Sequence, residues 1–138
     1  MTTHTTGSFT YADWKENVLS QAGDGPKLAT ATVTNHFTGG IEATGTSCAY
    51  TIVYATGAPD SAGSFTGHQL VTGTVDGRRG SLVLAERGTF DADGTTHCVF
   101  EVVPGSATGE LTGLRGTGGF TAVHGEPSVA YAFDYELP

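Results

Sequence analysis

Asp76-Gly77 divides two runs, "SFTGHQLVTGTV" and "RRGSLVLAERGTF", along which apolar and polar residues alternate. Asp and Gly both tolerate the positive φ of a two-residue type I′ turn, so the pair predicts a tight antiparallel hairpin. That loop length fixes a register in which Val75 faces Arg78, Val71 faces Leu82, Gln69 faces Leu84 and Gly67 faces Glu86. Side chains alternate across a sheet, so one face carries Phe65, Gln69, Val71, Leu82, Leu84 and Glu86. The opposite face carries Thr66, His68, Leu70, Thr72, Ser81, Val83, Ala85 and Arg87 and is less apolar. The first face is therefore assigned to the interior. It brings two polar groups with it, Gln69 and Glu86, which lie diagonally across the strand pair and within reach of each other.

The same grammar runs through the chain. "TTGSFTYA", "KLATATVTNHF", "GTSCAYTIVYA", "TTHCVFEVV", "GGFTAVH" and "VAYAFDYEL" also read as strands, separated by Gly39-Gly40, Ala58-Pro59-Asp60, Asp93-Gly94, Pro104-Gly105 and Gly125-Glu126-Pro127. "YADWKENVLSQ", Tyr11 to Gln21, is either one short helix or the irregular end of a strand. About eight short strands with almost no crossover helix imply antiparallel pairing, and such a set either closes into a barrel, which removes exposed edges, or stacks as a sandwich. The expected fold is all-β, a single domain over residues 1–138. For the Asp93-Gly94 connection, a two-residue loop would set Glu86 against Glu101, two carboxylates that cannot both ionise cheaply. A loop one residue longer turns Cys98, Phe100 and Val102 inward instead, and this slipped register is preferred.

Charge narrows the partners. The formal net charge is -8, with only six Lys and Arg, so nucleic acid and an anionic membrane surface are not expected. The start "MTTHTTGSF" has neither the basic nor the apolar region of a signal peptide, and a cytoplasmic location is expected. There Cys48 and Cys98 would be free thiols. His36, His68, His97 and His124 fall on different strands without ligand spacing, so no metal site is expected. A nucleophile elbow such as Gly-x-Ser-x-Gly is absent too.

"VVPGSATGELTGLRGTGGF", Val102 to Phe120, is rich enough in glycine to raise the question of a phosphate loop. It lacks both Gly-x4-Gly-Lys-Ser/Thr and Gly-x-Gly-x-x-Gly, contains no Lys, and carries Glu110 where a phosphate would be repelled. No nucleotide or other cofactor is implied. Glycines here allow a barrel strand to bend and two backbones to approach.

With "GPKLATATVTNHFTG", "VTGTVDGRRGSLVLAERGTFD" and "YAFDYEL", this stretch resembles the DUF3224 family of uncharacterised bacterial proteins over nearly the whole chain. That family is similar in fold to the allene oxide cyclases. The resemblance implies a single closed antiparallel β-barrel of about eight strands, cofactor-free, that steers a reactive small molecule in an apolar cavity, and a homo-oligomer, dimer or trimer. Family members tend to carry Glu where Gln69 stands and His where Glu86 stands, which marks both inward positions as parts of a tunable pocket.

Glu86 is the candidate catalytic residue. An apolar barrel should raise its pKa and suit it to acid or base work; the competing reading is a carboxylate at the barrel mouth, solvated or paired with Arg87 or Arg115. Gln69 either orients a ligand carbonyl or satisfies a buried backbone group. Tyr50 and Tyr54 share a face with Cys48 and offer hydroxyls inside an apolar wall, or else fill core and rim. Cys48 has no demonstrable His partner and reads more simply as a small buried hydrophobe. Leu84 and Phe100, inward in the preferred register, would complete the wall. Trp14 and Glu16 either line one barrel end or, for Trp14, anchor the core. The expected function is binding of a small, mostly apolar molecule, with a cofactor-independent cyclisation or isomerisation guided by Glu86. The alternatives are a non-catalytic, lipocalin-like carrier and a barrel filled by its own side chains.

Overall fold

The computed structural model describes residues 2–138 as eight strands in one closed antiparallel barrel, ordered as in the sequence. They are β1 (Thr3–Gln21), β2 (Lys27–Gly39), β3 (Ile41–Tyr54), β4 (Gly63–Val75), β5 (Arg78–Phe90), β6 (Thr96–Val102), β7 (Arg115–Ala122) and β8 (Val129–Glu136). β1 pairs with β8 through Thr3–Tyr135 to Phe9–Val129, which closes the cylinder.

The Asp76-Gly77 hairpin has the expected geometry and register. Asp76 and Gly77 adopt φ of 47° and 85°, and Val75 pairs with Arg78, Gln69 with Leu84 and Gly67 with Glu86. Phe65, Gln69, Val71, Leu82, Leu84 and Glu86 are all buried. Across the next hairpin Glu86 pairs with Phe100, not Glu101, and Cys98, Phe100 and Val102 point inward. Glu101 stands exposed outside.

Tyr11–Gln21 forms no helix. It continues β1 along β2, interrupted by irregularities between Ala12 and Lys15 and between Val18 and Ser20, with Asp13 at φ 59°. Pairing with β2 outweighs the weak helical propensity of a segment that has no apolar stripe to bury. Trp14 is correspondingly not a core anchor: it is about half exposed, at 49%.

The interior divides along the barrel axis. One half is filled by Ile41, Val71, Leu82, Leu84, Phe100 and Phe133, among others. The glycine-rich segment supplies its plug: a 3₁₀ turn at Gly109–Leu111 carries Leu111 and Leu114, 1% and 2% exposed, into the end of the barrel. Thr108 N donates to Ser81 O at 2.8 Å and ties this turn to β5. Asp76 knits the same end, accepting from Thr5 Oγ1 at 2.9 Å and from Tyr135 Oη at 2.5 Å. In the other half Ala29 and Ala31 on β2 pack with Ile52, Phe65 and Cys98, and a space lined by Val33, Ile52 and several aromatic rings is left hollow.

Candidate active site between the two halves

A buried polar layer separates the packed half from the hollow one. β5 brings Glu86 into it, 4% exposed, and β4 brings Gln69, 3% exposed. Gln69 Nε2 donates to Glu86 Oε2, and Gln69 Oε1 accepts from Asn35 Nδ2 at 3.1 Å. Tyr50 on β3 donates to Glu86 Oε1 at 3.1 Å. Two thiols complete the shell, Cys48 Sγ at 3.8 Å from Oε2 and Cys98 Sγ at 3.6 Å from Oε1. Three strands, β3, β4 and β6, thus aim four donors at the carboxyl group that β5 carries.

Neither Arg87 nor Arg115 reaches it; both are exposed on the outside of the barrel. Glu86 is neither solvated nor ion-paired, which excludes the barrel-mouth reading. Burial raises its pKa above the ordinary 4.5, and the hydrogen bonds from Tyr50, Gln69, Cys98 and Cys48 offset this only in part. Burial, with the neighbouring carboxyl second, also raises the Tyr50 hydroxyl. The Cys48 thiol is pushed up to about 12 by the same two causes, burial first. A thiol held protonated is a weak hydrogen-bond donor, not a nucleophile.

The hollow half is a cavity of about 530 Å³, within the size range of small-molecule sites. It opens between the loops around Pro59, Asp91 and His124, with Tyr50 and Asn35 among the residues lining it. Tyr50 is the link between cavity and carboxyl: it borders the open space and its hydroxyl meets Glu86. Its ring packs edge-on against Phe65 at 5.2 Å between centroids. Tyr54 also lines the cavity, but its hydroxyl turns away from Glu86 to Glu16 Oε2 at 2.5 Å. Trp14 and Glu16 belong to this end, joined by a hydrogen bond from Trp14 Nε1 to Glu16 Oε1 at 3.2 Å.

The sequence-predicted residues therefore separate into three places. Glu86, Gln69, Tyr50 and Cys48 converge in the polar layer. Tyr54 stands in the wall near the mouth. Leu84 and Phe100 lie outside the cavity wall, in the packed half, because the rows they occupy are filled by Val102, Phe133 and their neighbours. Sequence reasoning passed over two members, Asn35 and Cys98 as a partner of Glu86. Asn35 had a signal: it shares an alternating face with Ala29, Ala31, Val33 and Phe37, where a lone amide needs a buried partner. Among the described residues no group of three or more His, Cys, Asp and Glu could hold a metal ion, and no helix is long and apolar enough to cross a membrane.

The barrel matches the family model for DUF3224, a protein of unknown function, over residues 5–135. The chain belongs to the DUF3224 family. A crystal structure of a DUF3224 protein of unknown function from Shewanella oneidensis MR-1 superposes with a TM-score of 0.76 at 28% identity, covering 100% of this chain and 99% of that one. No curated protein matches. These matches give the family and the fold, and the chemistry rests on the polar layer and the cavity.

Proposed function

We propose that this DUF3224 barrel binds a small, mostly apolar molecule in its hollow half and guides a cofactor-independent cyclisation or isomerisation of it. The observation that carries the reading is the contact between Tyr50, which borders a cavity of about 530 Å³, and Glu86, a buried carboxyl with no basic partner. The apolar wall would fold a flexible substrate into a reactive conformer. A proton given by the Tyr50 hydroxyl to a substrate atom would be replaced from the Glu86 carboxyl, and the reverse transfer at the end would restore both groups. Gln69, held by Asn35, fixes the carboxyl for this exchange. The likeness to allene oxide cyclases that the sequence motifs imply, cofactor-free barrels that steer a reactive small molecule, favours the same reading.

A non-catalytic carrier is the competing function. It is favoured by one fact: Glu86 is hydrogen-bonded on both oxygens from within the barrel and does not itself line the cavity. Native mass spectrometry of the purified protein identifies any molecule that co-purifies, and that molecule then serves as substrate for wild type and Glu86→Gln. Turnover lost in the variant with binding retained supports the enzyme. Retention of the molecule unchanged by both proteins establishes the carrier.

A further inference from the structure

The cavity wall is chemically one-sided. Tyr11, Trp14, Tyr50, Tyr54, Phe65 and Phe90 all contribute aromatic surface, and aromatic ring faces are regions of negative electrostatic potential. Asp60 and Asp91 stand in the same lining. A third acid, Glu16, accepts hydrogen bonds from Trp14 Nε1 and Tyr54 Oη, so it holds two of these rings. Neither Lys nor Arg is present in the lining, and His124 is its sole imidazole. A carboxylate ligand would find no Lys or Arg in the lining and would approach a chain of net charge -8.

The wall also accepts a cation within the chain itself. Lys27 Nζ, which is not a lining residue, sits 4.3 Å from the centroid of the Tyr54 ring. Trp14 is half exposed at the mouth, with its ring centroid 6.3 Å from that of Tyr50. Two aromatic rings bridged by the Glu16 carboxylate, in a lining that also holds Asp60 and Asp91, suit a diffuse positive charge that cannot donate strong hydrogen bonds.

We infer that the ligand of this cavity is an amphipathic organic cation, an amine or quaternary ammonium group on an apolar body. The body fills the barrel; the head lies among Trp14, Tyr54 and the carboxylates of the mouth. This rests on the reading of the cavity as a ligand site and narrows the class of molecule it takes.

Isothermal titration of the full chain with octyltrimethylammonium, octanol and octanoate, at about 0.15 M salt to screen general attraction, separates the two readings. The inference expects one-to-one binding of the cation, about ten-fold tighter than octanoate and tighter than octanol. In Trp14→Leu, and separately in Asp60→Asn with Asp91→Asn, the ratio of cation to octanol affinity should fall about five-fold or more. These positions are exposed, so the two variants test the same point with little demand on folding. Octanol or octanoate binding as tightly as the cation would overturn the charge preference while leaving the cavity a ligand site. A cation preference unchanged in both variants would assign it to the acidic surface and overturn the inference as well. Failure of all three probes to bind would overturn both readings.

Discussion

Gly67 lies beneath the ring of Tyr50, its partner on β3, and on its other side pairs with Glu86 on β5. A Cβ at this position would stand 2.5 Å from Tyr50 Cδ1 and would also meet the Ala49 carbonyl. The missing side chain lets the tyrosine lie flat across β4 and deliver its hydroxyl to Glu86. One glycine therefore couples the cavity wall to the buried acid. Gly118 serves the Phe100 ring in a similar way on β7, where an added Cβ would come 2.6 Å from Phe100 Cε1.

Gly67→Ala should accordingly displace Tyr50 and break its bond to Glu86. Overpacking of this kind costs about 1–3 kcal/mol. Urea denaturation reads the loss, and an unfolding midpoint equal to wild type would show that the ring has room to move.

Glu86 makes stability depend on pH with a definite sign. Its folded pKa is raised above the ordinary 4.5, so the native state holds a proton that the unfolded chain releases. The associated stability is complete below the unfolded value and is lost as pH rises through the folded value. Glu86→Gln removes that group from the titration. The variant should gain on wild type as pH rises from about 5 to about 8, read as the difference in urea midpoints. A constant difference across that range would mean that Glu86 ionises in the barrel as it does in water.

The two thiols should be silent in the native protein. Cys48 and Cys98 are 3% and 4% exposed, and burial raises both, Cys48 to about 12. Labelling with an aromatic disulfide reagent at neutral pH should modify neither before unfolding and both after it. Rapid native labelling at either position would place that thiol in contact with solvent through the cavity.

The two halves of the barrel should respond differently to truncation. Leu84, fully buried in the packed half, leaves a void when cut to Ala, at a cost of about 2–5 kcal/mol. Phe90 borders the open cavity and is only half-buried, so Phe90→Ala should cost less although it removes more atoms. Paired chemical denaturation curves decide the order, and the reverse order would mean that the hollow half carries the stability.

Much of this was legible before any coordinates. The Asp76-Gly77 turn and the period-two pattern around it gave a register in which Gln69 and Glu86 had to face inward together. Avoidance of two facing carboxylates gave the slipped β5–β6 register, with Phe100 rather than Glu101 inside. These are local properties, because a tight turn and strand alternation act over a few residues and leave few alternatives. The sequence by itself thus determined the β4–β5 and β5–β6 registers and the inward acid. Tertiary structure decided which inward residues meet open space: Leu84 and Tyr50 are both inward, yet one is packed and the other borders the cavity. It also bent Tyr11–Gln21 into strand and used the glycine-rich segment as a plug. Such outcomes depend on how rows from eight strands stack around one axis, and side chains far apart in sequence fill or spare the same volume.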